Sequence, residues 1–77
     1  MSIKVLYFAS LRERLGCSEE LISEDGLSTV GDVWQRVSDG KNVTQRVLYS
    51  INQEYAQADS LVKAGDEVAF FPPVTGG

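Results

Sequence analysis

Apolar and polar positions alternate from the start of the chain. Ile3, Val5, Tyr7 and Ala9 fall on one side of an extended segment, and Lys4, Leu6 and Phe8 fall on the other. β-Branched and aromatic residues in that pattern predict a strand over 3–9. Ser10-Leu11-Arg12-Glu13 follows with the S-x-x-E spacing of a capping box, in which the serine hydroxyl and the glutamate carboxylate each satisfy a backbone N–H of the helix start. Leu11 and Leu15 lie four apart and Gly16 comes next, so a short helix ending at the glycine is expected. Glu20-Leu21-Ile22-Ser23 predicts a second strand, closed by the turn-forming Asp25-Gly26.

The period then changes from two to 3.6. Val30, Val33, Trp34 and Val37 form one stripe of a helix, with Asp32, Gln35 and Arg36 toward water and Trp34 expected to plug the core. Thr29 is the expected cap and Asp39-Gly40 the stop. The polar stretch 41–46 reads as loop, 47–52 as a strand, 55–58 as an irregular or short edge segment, and Leu61-Val62 as a brief apolar anchor. A turn at Ala64-Gly65-Asp66 leads into a last strand over 67–71. The order is strand, short helix, strand, helix, strand, short strand, strand: an α+β domain over 1–71. One long helix covers one face of such a sheet, so the other should be polar if the protein lives alone. It is not, because Leu6 and Phe8 lie opposite Ile3, Val5 and Tyr7, and the last strand is apolar on both of its faces, with Val68 and Phe70 on one and Ala69 and Phe71 on the other. Either loops cover these side chains, or they form a patch for a partner.

Composition narrows the chemistry. At 77 residues, 43% apolar and 23% charged, the chain supports one packed core and no second domain. It has no histidine, and Cys17 is its one cysteine, which removes histidine-based nucleophilic catalysis and Cys/His zinc clusters. A lone cysteine suits a reducing compartment, and no catalytic role is expected for Cys17. The net charge of −4 argues against nucleic acid as a partner. The longest apolar run, Val5 to Ala9, is too short to span a membrane, and the first residues lack signal-peptide architecture. A soluble, cytoplasmic protein is expected.

The remaining candidate chemistry lies in Pro72-Pro73-Val74-Thr75-Gly76-Gly77. Two prolines cannot donate to a sheet ladder and favour extended geometry, so the sheet should stop and 72–77 should project as a flexible tail. Six extended residues reach roughly 20 Å, enough to enter another protein's active site. Gly76 and Gly77 offer a backbone without side chains, around which a narrow tunnel can close. The carboxylate expected at Gly77 is ionised at neutral pH, a poor electrophile that needs activation. Glycine-rich ends are also often functionless, so the dipeptide alone decides nothing.

The run Gly65-Asp66-Glu67-Val68-Ala69-Phe70-Phe71-Pro72-Pro73-Val74-Thr75-Gly76-Gly77 resembles the C-terminal signature of molybdopterin synthase small subunits, the MoaD-type sulfur carriers. Ile3 to Ala9 with Leu11-Arg12-Glu13 is similar to that family's first strand and turn, and Thr29-Val30 and Ile51-Asn52-Gln53 extend the resemblance through the middle. Tyr49 and Tyr55 lie outside it. The resemblance implies a ubiquitin-like β-grasp fold: a mixed sheet, one main helix on one face, and a Gly-Gly tail.

It further implies a non-catalytic carrier of sulfur in molybdenum cofactor biosynthesis, with no permanently bound cofactor. A ubiquitin-activating-type adenylyltransferase (MoeB-type) would use ATP to adenylate Gly77, leaving AMP there transiently until sulfur replaces it as a thiocarboxylate. The tail would then enter the synthase large subunit (MoaE-type), in a heterotetramer of two small and two large subunits, and give its sulfur to cyclic pyranopterin monophosphate. The same resemblance makes Phe8 and Phe71 apolar partner contacts and Arg12 a polar one, with Val74, Thr75 and Gly76 guiding the tail and Pro72 and Pro73 setting its direction. Read from the residues alone, Phe71 fits a core position equally well, Phe70 reads as core, and Arg12 reads as a solvated helix charge. Three other functions share parts of this pattern: a sulfur carrier for thiamine thiazole synthesis, a ubiquitin-like protein modifier, and a non-covalent adaptor with an inert tail.

Overall fold

The computed structural model describes residues 1–39 and 46–73. Its elements are β1 (Ser2–Tyr7), α1 (Ser10–Leu15), β2 (Glu19–Ser23), α2 (Val30–Ser38), β3 (Leu48–Ile51), β4 (Glu54–Ala56) and β5 (Glu67–Phe71). The strands form one five-stranded sheet in the order β2-β1-β5-β3-β4. β1 and β5 are parallel, in the register Val5↔Val68 and Tyr7↔Phe70, and the other neighbouring pairs are antiparallel. The first and last strands thus lie at the centre, as their apolar character on both faces requires.

One face is closed by α2. Val30, Val33 and Val37 pack in a single core cluster with Ile3, Val5 and Tyr7 of β1, Val68 and Phe70 of β5, and Leu11 and Leu15 of α1. Burying each large side chain contributes about 1.5–3 kcal/mol. Trp34 is half-buried at the margin of this cluster, with its ring 4.9 Å from that of Phe70, so it flanks the core rather than plugging it. The start of α2 is closely fixed. Asp32 N–H donates to Thr29 Oγ1 at 3.2 Å, while Thr29 N–H donates to Asp32 Oδ2 at 3.1 Å, which completes a capping box. Val30 N–H and Gly31 N–H donate to the carbonyls of Ser60 and Ala58, each at 2.9 Å. A Cβ on Gly31 would stand 3.0 Å from the Ala58 oxygen, so a larger residue would push this strap back by a few tenths of an ångström.

Several expectations are corrected. The first strand ends at Tyr7 instead of running to residue 9, because Ala9 turns to φ 55, ψ −132 and becomes the N-cap of α1. Ser10 therefore sits one position inside the helix, and no side chain caps it, so the Ser10–Glu13 box does not form. Gly16 does end α1, at φ 80, with its N–H donating to the Arg12 carbonyl at 2.9 Å. Leu61 is 77% exposed and bridges Thr29 through its backbone; Val62 alone of the predicted anchor packs on the core. The short edge segment is strand β4, one residue earlier than expected. Gly40 and most of the polar loop, 41–45, lie outside the described residues.

β1 is tied to its edge neighbour by a buried phenol. Tyr7 O–H donates to Glu20 Oε2 at 2.6 Å. Burial first, and the hydrogen bond to Glu20 second, push the Tyr7 pKa far above the usual phenol value, so this donor stays protonated. The Cys17 sulfur lies 3.8 Å from the same carboxylate oxygen. Among the described residues no group of three or more His, Cys, Asp and Glu could hold a metal ion. No helix among them is long and apolar enough to cross a membrane.

Candidate functional site

Strand alternation and register build the site on the face of the sheet opposite α2. Tyr7 and Phe70 point into the core, so Leu6 and Phe8 of the β1 segment and Ala69 and Phe71 of β5 point the other way. The register pairs Leu6↔Ala69, Leu48↔Phe71 and Ser50↔Tyr55, which brings residues of four chain segments onto one surface. Ala69 is 6% exposed at its centre, Leu6, Leu48 and Phe71 are half-buried, and Phe8 is 45% exposed. The Tyr55 ring lies 5.9 Å from that of Phe71, tilted by 57°, and Tyr55 is 83% exposed. A surface of this apolarity with two exposed aromatic rings has the composition of a protein interface.

The face also carries charge. Lys4 Nζ stands 3.4 Å from Glu19 Oε2 and 4.0 Å from Glu67 Oε1, linking β1 to both neighbours, while Leu21, paired with Lys4, is 69% exposed on the same face. Toward the end of β1 the face is apolar. Because β1 and β5 are parallel, this apolar end is also where β5 hands the chain to Pro72 and Pro73. Phe8 N–H donates to the Phe70 carbonyl at 3.1 Å, so the Phe8 segment is fixed beside that exit. The apolar patch and the departing tail are therefore one continuous region.

Of the residues singled out in the sequence, Phe8 and Phe71 share this face, and Phe71 is not the core residue it could have been. Phe70 is fully buried, as expected. Arg12 is exposed on α1 and belongs to the segment after Phe8, not to the sheet face. Pro72 and Pro73 are half-buried at the exit. Val74, Thr75, Gly76 and Gly77 lie outside the described residues. Tyr55 and Leu48 escaped the sequence reading. The signal for Tyr55 is the two-residue turn Asn52-Gln53, both at positive φ (51 and 72), which folds β4 back onto β3. Asparagine favours such a hairpin corner, and the resulting register carries Tyr55 to Phe71.

Comparison with known proteins agrees with this arrangement. The ThiS family model matches residues 5–77. The molybdopterin synthase sulfur carrier subunit of Haemophilus influenzae is 39% identical, over 97% of this chain and 99% of its own. Among solved structures, the putative molybdopterin converting factor subunit 1 of Pyrococcus furiosus superposes with a TM-score of 0.81 at 28% identity, covering 96% of this chain and 99% of its own. SAMP1 of Haloferax volcanii, a small archaeal modifier protein, superposes with a TM-score of 0.78 at 30% identity, covering 100% of both chains. The fold is the ubiquitin-like β-grasp. With a family model spanning residues 5–77 and a 39% identical relative covered over 99% of its length, this chain belongs to the ThiS family and is similar to molybdopterin synthase sulfur carrier subunits.

Proposed function

We propose that the protein is the sulfur carrier subunit of a molybdopterin synthase, in the cytoplasm, with the Gly77 carboxylate as its carrier group. The observation that carries this reading is the continuity of the apolar face, from Leu6, Phe8, Ala69, Phe71 and Tyr55, with the proline-led exit of the tail. Docking on that face would hold the domain while the tail reaches roughly 20 Å into the partner. The partner is the synthase large subunit, in an assembly of two small and two large subunits. Neither nucleic acid nor membrane takes part.

The chemistry follows from what a carboxylate lacks. In the activating enzyme, a MoeB-type adenylyltransferase, a Gly77 oxygen attacks the α-phosphorus of ATP and pyrophosphate leaves, giving an acyl adenylate. A sulfide equivalent delivered by a sulfurtransferase displaces AMP, leaving a terminal thiocarboxylate. The sulfur of that soft anion attacks an electrophilic carbon of the pterin precursor and displaces an oxygen leaving group there. Water then cleaves the resulting thioester, which releases the carrier as carboxylate with the sulfur left on the precursor. On this reading the acids and bases for these steps come from the partners, Gly76, Thr75 and Val74 would guide the tail, and Gly77 is its reacting end.

The test is intact mass spectrometry of the native protein from sulfur-replete cells, with a Gly77 deletion beside it. One oxygen exchanged for sulfur is expected in the native chain, and the deletion should abolish sulfur transfer with the melting temperature unchanged. A deletion variant that still supports molybdopterin formation overturns the proposal. The likeness to SAMP1 favours a second reading, a protein modifier whose Gly77 forms an isopeptide bond. Recovery of Gly77 joined to lysines of other proteins distinguishes it.

A further inference from the structure

The segment beside the tail exit contains a strained turn that the core does not explain. Leu11 N–H donates to the Phe8 carbonyl at 3.2 Å, closing a turn whose first corner is Ala9 at φ 55, ψ −132. That is the corner of a type II′ turn, a position glycine takes freely and a residue with a Cβ takes only against steric repulsion. The other non-glycine residues described at positive φ are Asn52 and Gln53. There the reason is internal: Asn52 Nδ2 donates to Asp66 Oδ1 at 3.1 Å and Glu67 N–H donates to Asn52 Oδ1 at 3.0 Å, so the side chain fastens the hairpin. Ala9 carries one methyl, and it is exposed. Glycine would make the same turn without strain and without loss of buried surface.

Strain that the fold does not use tends to sit where function uses it. Ala9 directly follows Phe8, whose N–H is held by the Phe70 carbonyl next to the point where Phe71 leads into Pro72. We propose that the Ala9 methyl is a contact and specificity residue of the large-subunit interface, continuing the apolar face from Phe8 onto the turn. The inference rests on the docking reading given above. The partner surface it implies has a small apolar recess beside the pocket that takes Phe8, deep enough for a methyl and too shallow for a larger side chain.

The test titrates the full chain, Ala9→Gly and Phe71→Ala against the large subunit by surface plasmon resonance, with melting curves of each small subunit. Ala9→Gly is expected to raise the melting temperature by about 2–5 °C, since the turn is relieved of strain. It should weaken binding about three- to tenfold, the worth of a buried methyl, through faster dissociation at an unchanged association rate. If Phe71→Ala weakens binding and Ala9→Gly leaves the dissociation rate unchanged, the Ala9 role is overturned and the docking face stands. If Phe71→Ala also leaves binding unchanged, the docking reading itself fails. Slower association with unchanged dissociation would mean that glycine merely loosens the turn, which also overturns the contact role.

Discussion

Phe70 and Phe71 are consecutive residues of one strand and meet opposite surroundings. Phe70 is fully buried, with ring centroids of Trp34, Tyr49 and Tyr7 at 4.9, 5.7 and 6.1 Å. Phe71 points to the other side of the sheet, where Tyr55 at 5.9 Å is its one described ring neighbour. The same contrast holds for Tyr7 against Phe8. The central strands β1 and β5 are apolar on both faces, yet α2 lies on only one. On the covered face apolar surface serves the fold; on the open face the same kind of surface stays partly exposed, beside the point where β5 gives way to Pro72 and Pro73.

Breaking the covered face should have the largest effect. Phe70→Ala removes a fully buried ring from between three aromatic neighbours and should destabilise the fold by about 3–5 kcal/mol, a large share of the total stability of a small domain. Chemical denaturation measures it. A loss below about 1 kcal/mol would show that the core on this side re-packs freely, and the contrast between the faces would lose its basis.

Phe71→Ala tests the open face with the same chemical change one residue along. Its ring is half-buried, so the stability loss should be on the order of 1–2 kcal/mol. Its main effect should fall on association with the large subunit, weakened by about 1–4 kcal/mol. Calorimetric titration separates the two quantities. Tyr55→Ala should follow the same pattern on a smaller scale, with binding weakened by about 0.5–1.5 kcal/mol and the melting temperature nearly unchanged, because the ring is largely exposed in the free chain. Should Tyr55→Ala destabilise the fold more than it weakens binding, Tyr55 would be a cover for Phe71 and not a contact.

Much of the covered face was legible in the sequence because burial imposes periodicity. The 3.6-residue stripe of α2, the alternation in β1 and the cap at Thr29 are local signals, and each corresponds to what the structure contains. The open face was legible as a surplus, in Leu6, Phe8, Ala69 and Phe71, but its extent depends on register, a non-local property. Tyr55 joins it only because β4 pairs with β3 and β3 with β5. The Ser10–Glu13 spacing failed for a related reason. A capping box needs the serine at the N-cap, and that position went to Ala9 when the backbone left β1 through a positive-φ corner. The Gly-Gly end was recognisable by resemblance to a family, since a dipeptide without side chains carries no local constellation of acids or bases to find.

The smallest expected effect comes from acid, and it should reach one face only. The Asp32 carboxylate accepts the backbone N–H of Ser28 at 3.0 Å and of Thr29 at 3.1 Å, which holds its pKa below the usual carboxylate value, the Ser28 bond counting most. A pKa lowered in the folded state stabilises the protein where the unfolded chain's aspartate is already ionised, above about pH 4. That contribution fades as pH falls through the lower, folded-state value. Wild type should therefore melt above Asp32→Asn by a constant margin between pH 8 and 5, and the margin should close as pH drops below about 4. A margin that persists undiminished at pH 2 would mean that the side chain acts through shape and not charge. Since Asp32 caps α2 on the covered side, the substitution should leave large-subunit binding near neutral pH unchanged; weakened binding at full folding would show that the two faces are coupled through the sheet.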